Sequence, residues 1–433
     1  MATSILITNA RLIDPASNRD ERADLAIKDG RIAAIGPNLS RSEADHTIDA
    51  ANKILAPGLI DMHVHLREPG QEERETIQSG CAAAVAGGFT AVACMPNTSP
   101  ALDSDAQIEF VRRQARSAPC KVYPIGAITK GRAGKELAEI GLMLRAGAVA
   151  ISDDGDGIAE AGVCLRAMQY ASMFDTLFIQ HCEDKTLAGR GVMNAGVTAT
   201  RLGLPGIPAA AEEIMAERDI RLARQAACRY HVAHVSTAGT VELVRRAKRD
   251  GARVTTEICP HHLLLTEDAC STYDPNFKMN PPLRTRADVD ACLAGLRDGT
   301  IDCLVTDHAP HSHHDKELGF VDAPMGIIGL ETALPLFIKA LIEPKILDWP
   351  RLIRALSTRP AELLKIDGGT LRVGAPADVT IIDPDVEWTI DRETMKSKSR
   401  NTPFHAWGVK GRATHTIVAG EVRWHVVGER TKR

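Results

Sequence analysis

Apolar and polar positions divide the chain into three parts. At the amino terminus, SILITNARLID and ADLAIKDGRIAAIG are β-rich runs separated by polar turns. The carboxy-terminal part has the same texture: ADVTIID, VEWTI, then THTIVAGEVRWHV with a glycine-containing turn. Between them the pattern changes. Apolar strand-like runs fall near 59–66, 89–95, 121–127, 148–152, 177–181, 230–235, 253–258 and 302–306. Helical patterns such as ETIQSGCAAAVAGG and TVELVRRAKRDG follow most of them. Several runs are apolar throughout, as expected of parallel strands buried on both faces. Strand and helix alternating eight times predict an α/β fold, a (β/α)8 TIM-like barrel. The two ends are expected to pair into one small β-sandwich domain. The predicted boundaries are 1–57 plus 366–433 for this composite β domain and 58–365 for the barrel.

Composition adds bounds. A chain of 433 residues has room for a large barrel and an accessory domain. It is 44% hydrophobic and 25% charged, but only 4% aromatic, so aliphatic side chains must fill the core. The net charge of -4 is spread in both signs, which argues against a nucleic-acid partner. The basic cluster Arg245–Arg249 reads as a solvated helix face. The amino-terminal stretch lacks the pattern of a secretory signal, and no apolar run reaches the roughly 18 residues of a membrane helix. Ten scattered cysteines without a CxxC pair fit reduced thiols and a cytoplasmic location. Cys182 reads as a small buried residue rather than a nucleophile.

The chemistry concentrates at strand ends. In Asp61-Met62-His63-Val64-His65, alternation puts both histidines and Asp61 on one face. Two imidazoles at the carboxy end of a barrel strand make half of a divalent-metal site. Other strand ends carry Ser152-Asp153-Asp154-Gly155, Gln180-His181-Cys182-Glu183, His231-Val232-Ala233-His234 and Thr306-Asp307-His308-Ala309-Pro310-His311. A barrel brings such ends to one mouth. Imidazole and carboxylate donors suit zinc, with manganese or cobalt as alternatives. A metal there lowers the pKa of water toward about 7. No GxSxG competes, and Gly131–Gly134 do not form a phosphate loop. Arg67 shares the face of His65 and suits bidentate carboxylate binding, although a structural ion pair would also explain it. Asn97 and Asn280 are placed to help. Together these residues suggest a small anionic substrate bearing an amide. The polar segment 311–326 is a candidate active-site loop.

DMHVHLREPG, CMPNT, SDDG, HCED, HVAHVS, CPHHLLLT, KMNPPLR and TDHAPH, in this order from Gly58 to Gly329, resemble the dihydroorotase family of the amidohydrolase superfamily. The likeness is greatest to its bacterial long-chain class, class I. The resemblance implies reversible hydrolysis of L-dihydroorotate to N-carbamoyl-L-aspartate, in pyrimidine biosynthesis, by metal-activated hydroxide. It implies one or two Zn2+ per chain. His63, His65 and Asp307 would hold one ion, His181 and His234 a second, and Asp154 would bridge. Asp154 is chosen over Asp153 because its spacing to His181 matches the family. Asp307 would be the general acid and base. His65, Arg67, Asn97 and His311 would bind substrate, with Asn280, Met325 and Gly326 at the ring. Hydantoinases and allantoinases, the near relatives, often bridge their metals with a carboxylated lysine, and AVAISDDG has no lysine. Position 325 is Met where relatives often have Phe. A non-catalytic partner of aspartate transcarbamoylase would typically lack ligands that are all present here; association of an active chain with such a partner stays open. A homodimer is expected. His261-His262 should shape the mouth, His313-His314 should be exposed, and His405, His415 and His425 should be structural.

Overall fold

The computed structural model describes residues 4–40 and 44–426. Residues 1–3 of the amino-terminal stretch and 427–433 of the composite domain lie outside the described residues.

The amino-terminal part supplies β1 (Ile5–Asp14), β2 (Arg19–Lys28), β3 (Arg31–Gly36), β4 (His46–Asp49) and β5 (Ile54–Pro57). The middle supplies β6 (Leu59–Val64), β7 (Phe89–Cys94), β8 (Lys121–Gly126), β9 (Ala150–Ser152) and β10 (Leu177–Gln180). A two-stranded ribbon follows, β11 (Met193–Asn194) with β12 (Gly206–Ile207). Then come β13 (Arg229–Val232), β14 (Val254–Ile258) and β15 (Cys303–Leu304). The carboxy-terminal part supplies β16 (Val379–Thr389), β17 (Gly408–Val418) and β18 (Glu421–His425).

Strands β6, β7, β8, β9, β10, β13, β14 and β15 pair in that order, all parallel. The ring closes where Val64 bridges His308 and the His65 N–H donates to the His308 carbonyl at 2.9 Å. Each predicted strand run thus overlaps one barrel strand, β13 starting one residue early at Arg229. Every residue of β6 and of β7 is buried, because helices cover one face and the barrel interior the other. The helix Ile77–Ala86 between them starts at Thr76, whose hydroxyl accepts from Ser79 N in a capping box. The basic run near Arg245 lies on the helix Ala238–Arg249, where Arg245 and Arg246 pair with Glu242 and Arg245 also with Asp298.

The chain ends form the second sheet, ordered β18-β17-β16-β5-β1-β2-β3, with β4 beside β1. Leu55 is its joint: β5 pairs antiparallel with β16 at Ile381 and parallel with β1 at Leu12. Ile7, Leu12, Leu25, Leu55, Val379, Ile381 and Ile417 bury one apolar face drawn from both ends of the chain. Each such side chain contributes about 1.5–3 kcal/mol when fully buried. This sheet presses closely on the barrel. Thr380 Oγ1 donates to the Gly88 carbonyl at 2.6 Å, and a Cβ on Gly88 would lie 2.9 Å from that of Ala413. Among the described residues, no helix is long and apolar enough to cross a membrane.

Candidate metal centre and substrate site

β6 turns out of the barrel at His65, and its alternation aims His63 and His65 at the mouth. His63 Nε2 lies 3.4 Å from Asp154 Oδ1, and His65 Nε2 lies 3.5 Å from Asp154 Oδ2. From the far side of Asp154, His234 Nε2 approaches Oδ1 to 3.7 Å and His181 Nδ1 to 4.0 Å. Two three-residue groups therefore share one carboxylate: His63, His65 and Asp154, and Asp154, His181 and His234. Asp307 completes the cluster, its Oδ1 2.9 Å from His65 Nε2 and 3.6 Å from His63 Nε2. All six residues are buried.

The donor set fits a divalent metal. Ligand atoms about 2.0–2.1 Å from a tetrahedral ion are about 3.4 Å apart, close to the spacing around Asp154. His63 Nε2 and Asp154 Oδ1 are buried without a hydrogen-bond partner, an arrangement costing about 1–3 kcal/mol per atom unless something satisfies it. Burial opposes charge on the Asp154 carboxyl, but the imidazoles of His63, His234 and His65 hold it well below the usual range. Burial likewise opposes a charged His63 ring, yet Asp154 and Glu257 raise its pKa well above normal. The cluster demands positive charge at its centre. The neighbouring Asp153 is already occupied, accepting from Ile128 N at 2.8 Å, Thr129 N at 3.0 Å and the Thr129 hydroxyl. Asp154 is the aspartate that faces the cluster.

Backbone strain gathers here. Arg67, His234 and Asp307 have φ of 64°, 30° and 49°, a region L-residues disfavour by about 1–3 kcal/mol each. The turns they make bend each chain off its strand and point the side chains inward.

Around the cluster lie the predicted substrate residues. Arg67 is buried, its Nε donating to the Pro310 carbonyl at 3.1 Å, and burial lowers its pKa to about 10. Asn97 Oδ1 lies 2.8 Å from His65 Nδ1, so Asn97 orients that ring. His311 Nε2 lies 2.7 Å from the Met325 carbonyl, which joins the two ends of the 311–326 loop. The Gly326 N–H is taken by the Lys278 carbonyl at 2.9 Å. Asn280 Nδ2 donates to Glu183 Oε2 at 2.7 Å and sits 3.3 Å from His181 Nε2. Cys182 contacts the Tyr230 hydroxyl at 3.2 Å, and burial raises its thiol pKa well above normal, which suits packing and not attack.

Two residues escaped the sequence reading. Glu257, fully buried on β14, lies 2.5 Å from His63 Nδ1. Its other oxygen is 3.1 Å from His231 Nε2, outside hydrogen-bonding geometry. A charged residue inside a run predicted as a buried barrel strand was the available signal. Asn401 accepts from His311 N at 3.2 Å and donates to the carbonyls of Ala309 at 3.0 Å and Gly326 at 3.1 Å. Nothing in its neighbourhood in sequence marks it. His308 faces away from the cluster toward Glu75, at 3.3 Å, and His262 bonds the Pro281 carbonyl at 2.9 Å. His313 and His314 are exposed on the helix His313–Glu317.

The chain is 52% identical to a protein named Dihydroorotase from Syntrophotalea carbinolica, over 98% of this chain and 99% of that one. The chain belongs to the dihydroorotase family. A second dihydroorotase, from Caldanaerobacter subterraneus subsp. tengcongensis, is 50% identical over 97% of both chains. The family description Dihydro-orotase-like matches residues 52–240, which hold every member of the cluster except Asp307. In structure, this dihydroorotase-family chain is similar to the L-hydantoinase (dihydropyrimidinase) from Arthrobacter aurescens. The TM-score is 0.88 at 28% identity, covering 98% of this chain and 96% of that one.

Proposed function

We propose that the protein catalyses reversible hydrolysis of L-dihydroorotate to N-carbamoyl-L-aspartate in pyrimidine biosynthesis. The observation that carries this reading is the near-full-length identity to proteins named dihydroorotase. His63, His65, Asp154, His181, His234 and Asp307 would hold zinc, one or two ions per chain, as the shared carboxylate of Asp154 supports. Bound there, zinc would polarise the ring carbonyl and lower the pKa of water toward about 7.

The chain's own residues do the rest. Asp307, anionic and beside His65, takes the proton of the attacking water and returns it to the leaving ring nitrogen. In ring closure it works in reverse. Arg67 and His311 hold the substrate carboxylate, and Asn97 supports that grip while fixing His65. Asn280 and the backbone at Met325 and Gly326 frame the ring. We assign 58–365 to catalysis and the composite 1–57 plus 366–433 domain to support. Ten free, buried cysteines suit the reducing cytoplasm.

A panel of dihydroorotate, carbamoyl aspartate, hydantoin and allantoin tests the reading on metal-loaded protein. Dihydroorotate and carbamoyl aspartate should interconvert, and His63→Ala should abolish this. Preference for a ring without a carboxylate would overturn the proposal in favour of a hydantoinase-type amidase.

A further inference from the structure

A cavity of about 420 Å³ opens beside the substrate site, on the outer side of His311. Its wall carries Lys316, Arg392, Lys398 and Arg400, against the acids Glu317 and Glu393. Glu393 is paired with Arg392 at 3.1 Å, and Glu317 lies 3.2 Å from the exposed His313, a contact that offsets its charge only when the ring is protonated. Among the described residues, Lys316, Lys398 and Arg400 have no carboxylate partner. Lys398 Nζ donates to the Glu72 carbonyl. Lys316 Nζ donates to the carbonyls of Pro275 and Pro324, and Arg400 to those of Ser397 and Ser399. Carbonyls satisfy N–H groups but cancel no charge. Burial lowers the Lys316 pKa to about 7 and Arg392 is paired with Glu393, so the positive excess of the cavity rests on Lys398 and Arg400.

Lys398 and Arg400 are held in place by period-two alternation. Along 395–401, Met395, Ser397, Ser399 and Asn401 are buried, while Lys396 and Lys398 are exposed and Arg400 is half-buried. The buried members tie this segment to the barrel mouth: Ser397 Oγ donates to Glu75, Ser399 Oγ to the Arg74 carbonyl at 2.8 Å. The same segment sends Asn401 to the loops beside the ring pocket. His311 is the shared wall. It is buried, and its Nδ1 has no partner. Burial first, then Arg67 and Lys316, pushes its pKa down to about 2, so the ring between the cavity and Arg67 is neutral.

We propose that this cavity is an outer anion subsite, an antechamber that collects the dicarboxylate substrate before it reaches the cluster. The inference rests on the proposed function. Carbamoyl aspartate carries two carboxylates and dihydroorotate one, so a basic vestibule favours the open-chain partner. Low-dielectric walls focus such a field, and salt screens it.

The test is steady-state kinetics in both directions, at ionic strengths near 0.01 M and near 1 M, where the Debye length falls from about 30 to about 3 Å. The variant is Arg392→Glu with Lys398→Glu; neither residue belongs to the catalytic cluster. In the parent, kcat/KM for carbamoyl aspartate should fall about 10-fold with salt, and that for dihydroorotate about 3-fold. At low salt the variant should lose about 10-fold in kcat/KM for carbamoyl aspartate, with kcat and Tm unchanged and the salt slope gone. The neutral pair Arg392→Gln with Lys398→Gln should fall between. Arg249→Glu with Arg297→Glu, the same charge change on the last turns of two barrel helices, should behave as the parent. Parental kcat/KM and salt slope in the variant would overturn the antechamber. So would an equal loss for both substrates, or a loss confined to kcat. A parent that turns over neither substrate would overturn the functional reading, and the antechamber with it.

Discussion

His63 can offer Nε2 to a metal only if Nδ1 is held elsewhere, and Glu257 holds it at 2.5 Å. Burial works against the Glu257 carboxylate, but His63 and His231 keep its pKa near the bottom of the range, at about 2, so it is anionic at any pH of interest. Glu257→Gln preserves shape and removes that charge. It should weaken metal binding about 10–100-fold, read by competition with a chromophoric chelator, and reduce turnover in parallel. Unchanged metal affinity would make Glu257 a packing residue. At this scale the sequence was informative where alternation applies. His63 and His65 share a face because they are two apart at the end of β6; Arg67 reaches the same mouth through a left-handed turn, φ 64°, which alternation does not give. It was silent where the deciding contact is distant. Asp153 and Asp154 are chemically alike and adjacent. The choice between them is made by Ile128 N and Thr129 N, which occupy Asp153 from another loop.

Among elements, the barrel strands were legible because parallel strands buried on both faces become apolar runs. Their ends were less so: β15 covers only Cys303–Leu304 of the predicted 302–306 run, the ladder giving way where Asp307 turns inward. The 395–401 segment was not legible. Its alternation resembles an edge strand, yet its buried serines bond side chains and carbonyls of the barrel mouth, partners more than 300 positions away. The same segment binds Glu331, whose Oε1 accepts from Lys396 N at 2.7 Å and Ser397 N at 3.2 Å. Burial raises the Glu331 pKa to about 7. Unfolded, it would titrate near 4.3. The folded protein therefore keeps a proton that the unfolded chain gives up between those values, and stability falls as pH rises through that window. Above it the ionised form costs about 1–2 kcal/mol, after allowance for partial solvation. Glu331→Gln keeps an acceptor and removes the titration. Urea unfolding should show the variant more stable by about that amount near pH 8 and equal to the parent near pH 4. A Gln variant less stable at pH 8 would contradict this.

At the scale of the whole molecule, the centre exists only when the barrel is closed. Its donors come from residues 63 to 307, on five strand ends, and β6 meets the end of the last strand where Asp61 accepts from Thr306 N, Val64 bridges His308 and His65 N–H donates to the His308 carbonyl. The two chain ends meet at Leu55, and Thr380 accepts from Leu59 N at 3.3 Å where β6 begins. Pattern alone predicted that the termini pair. It could not give the packing of Thr380 against Gly88, which depends on a glycine in the turn before β7. The proposed function requires that a metal held at the Asp154 cluster drive dihydroorotate hydrolysis. Its most direct test is to strip the protein with a chelator and titrate zinc back, following bound metal and dihydroorotate hydrolysis together. Turnover should be absent in the stripped protein, rise with bound zinc, and saturate at about one or two equivalents per chain. Full turnover in protein free of metal would contradict the account.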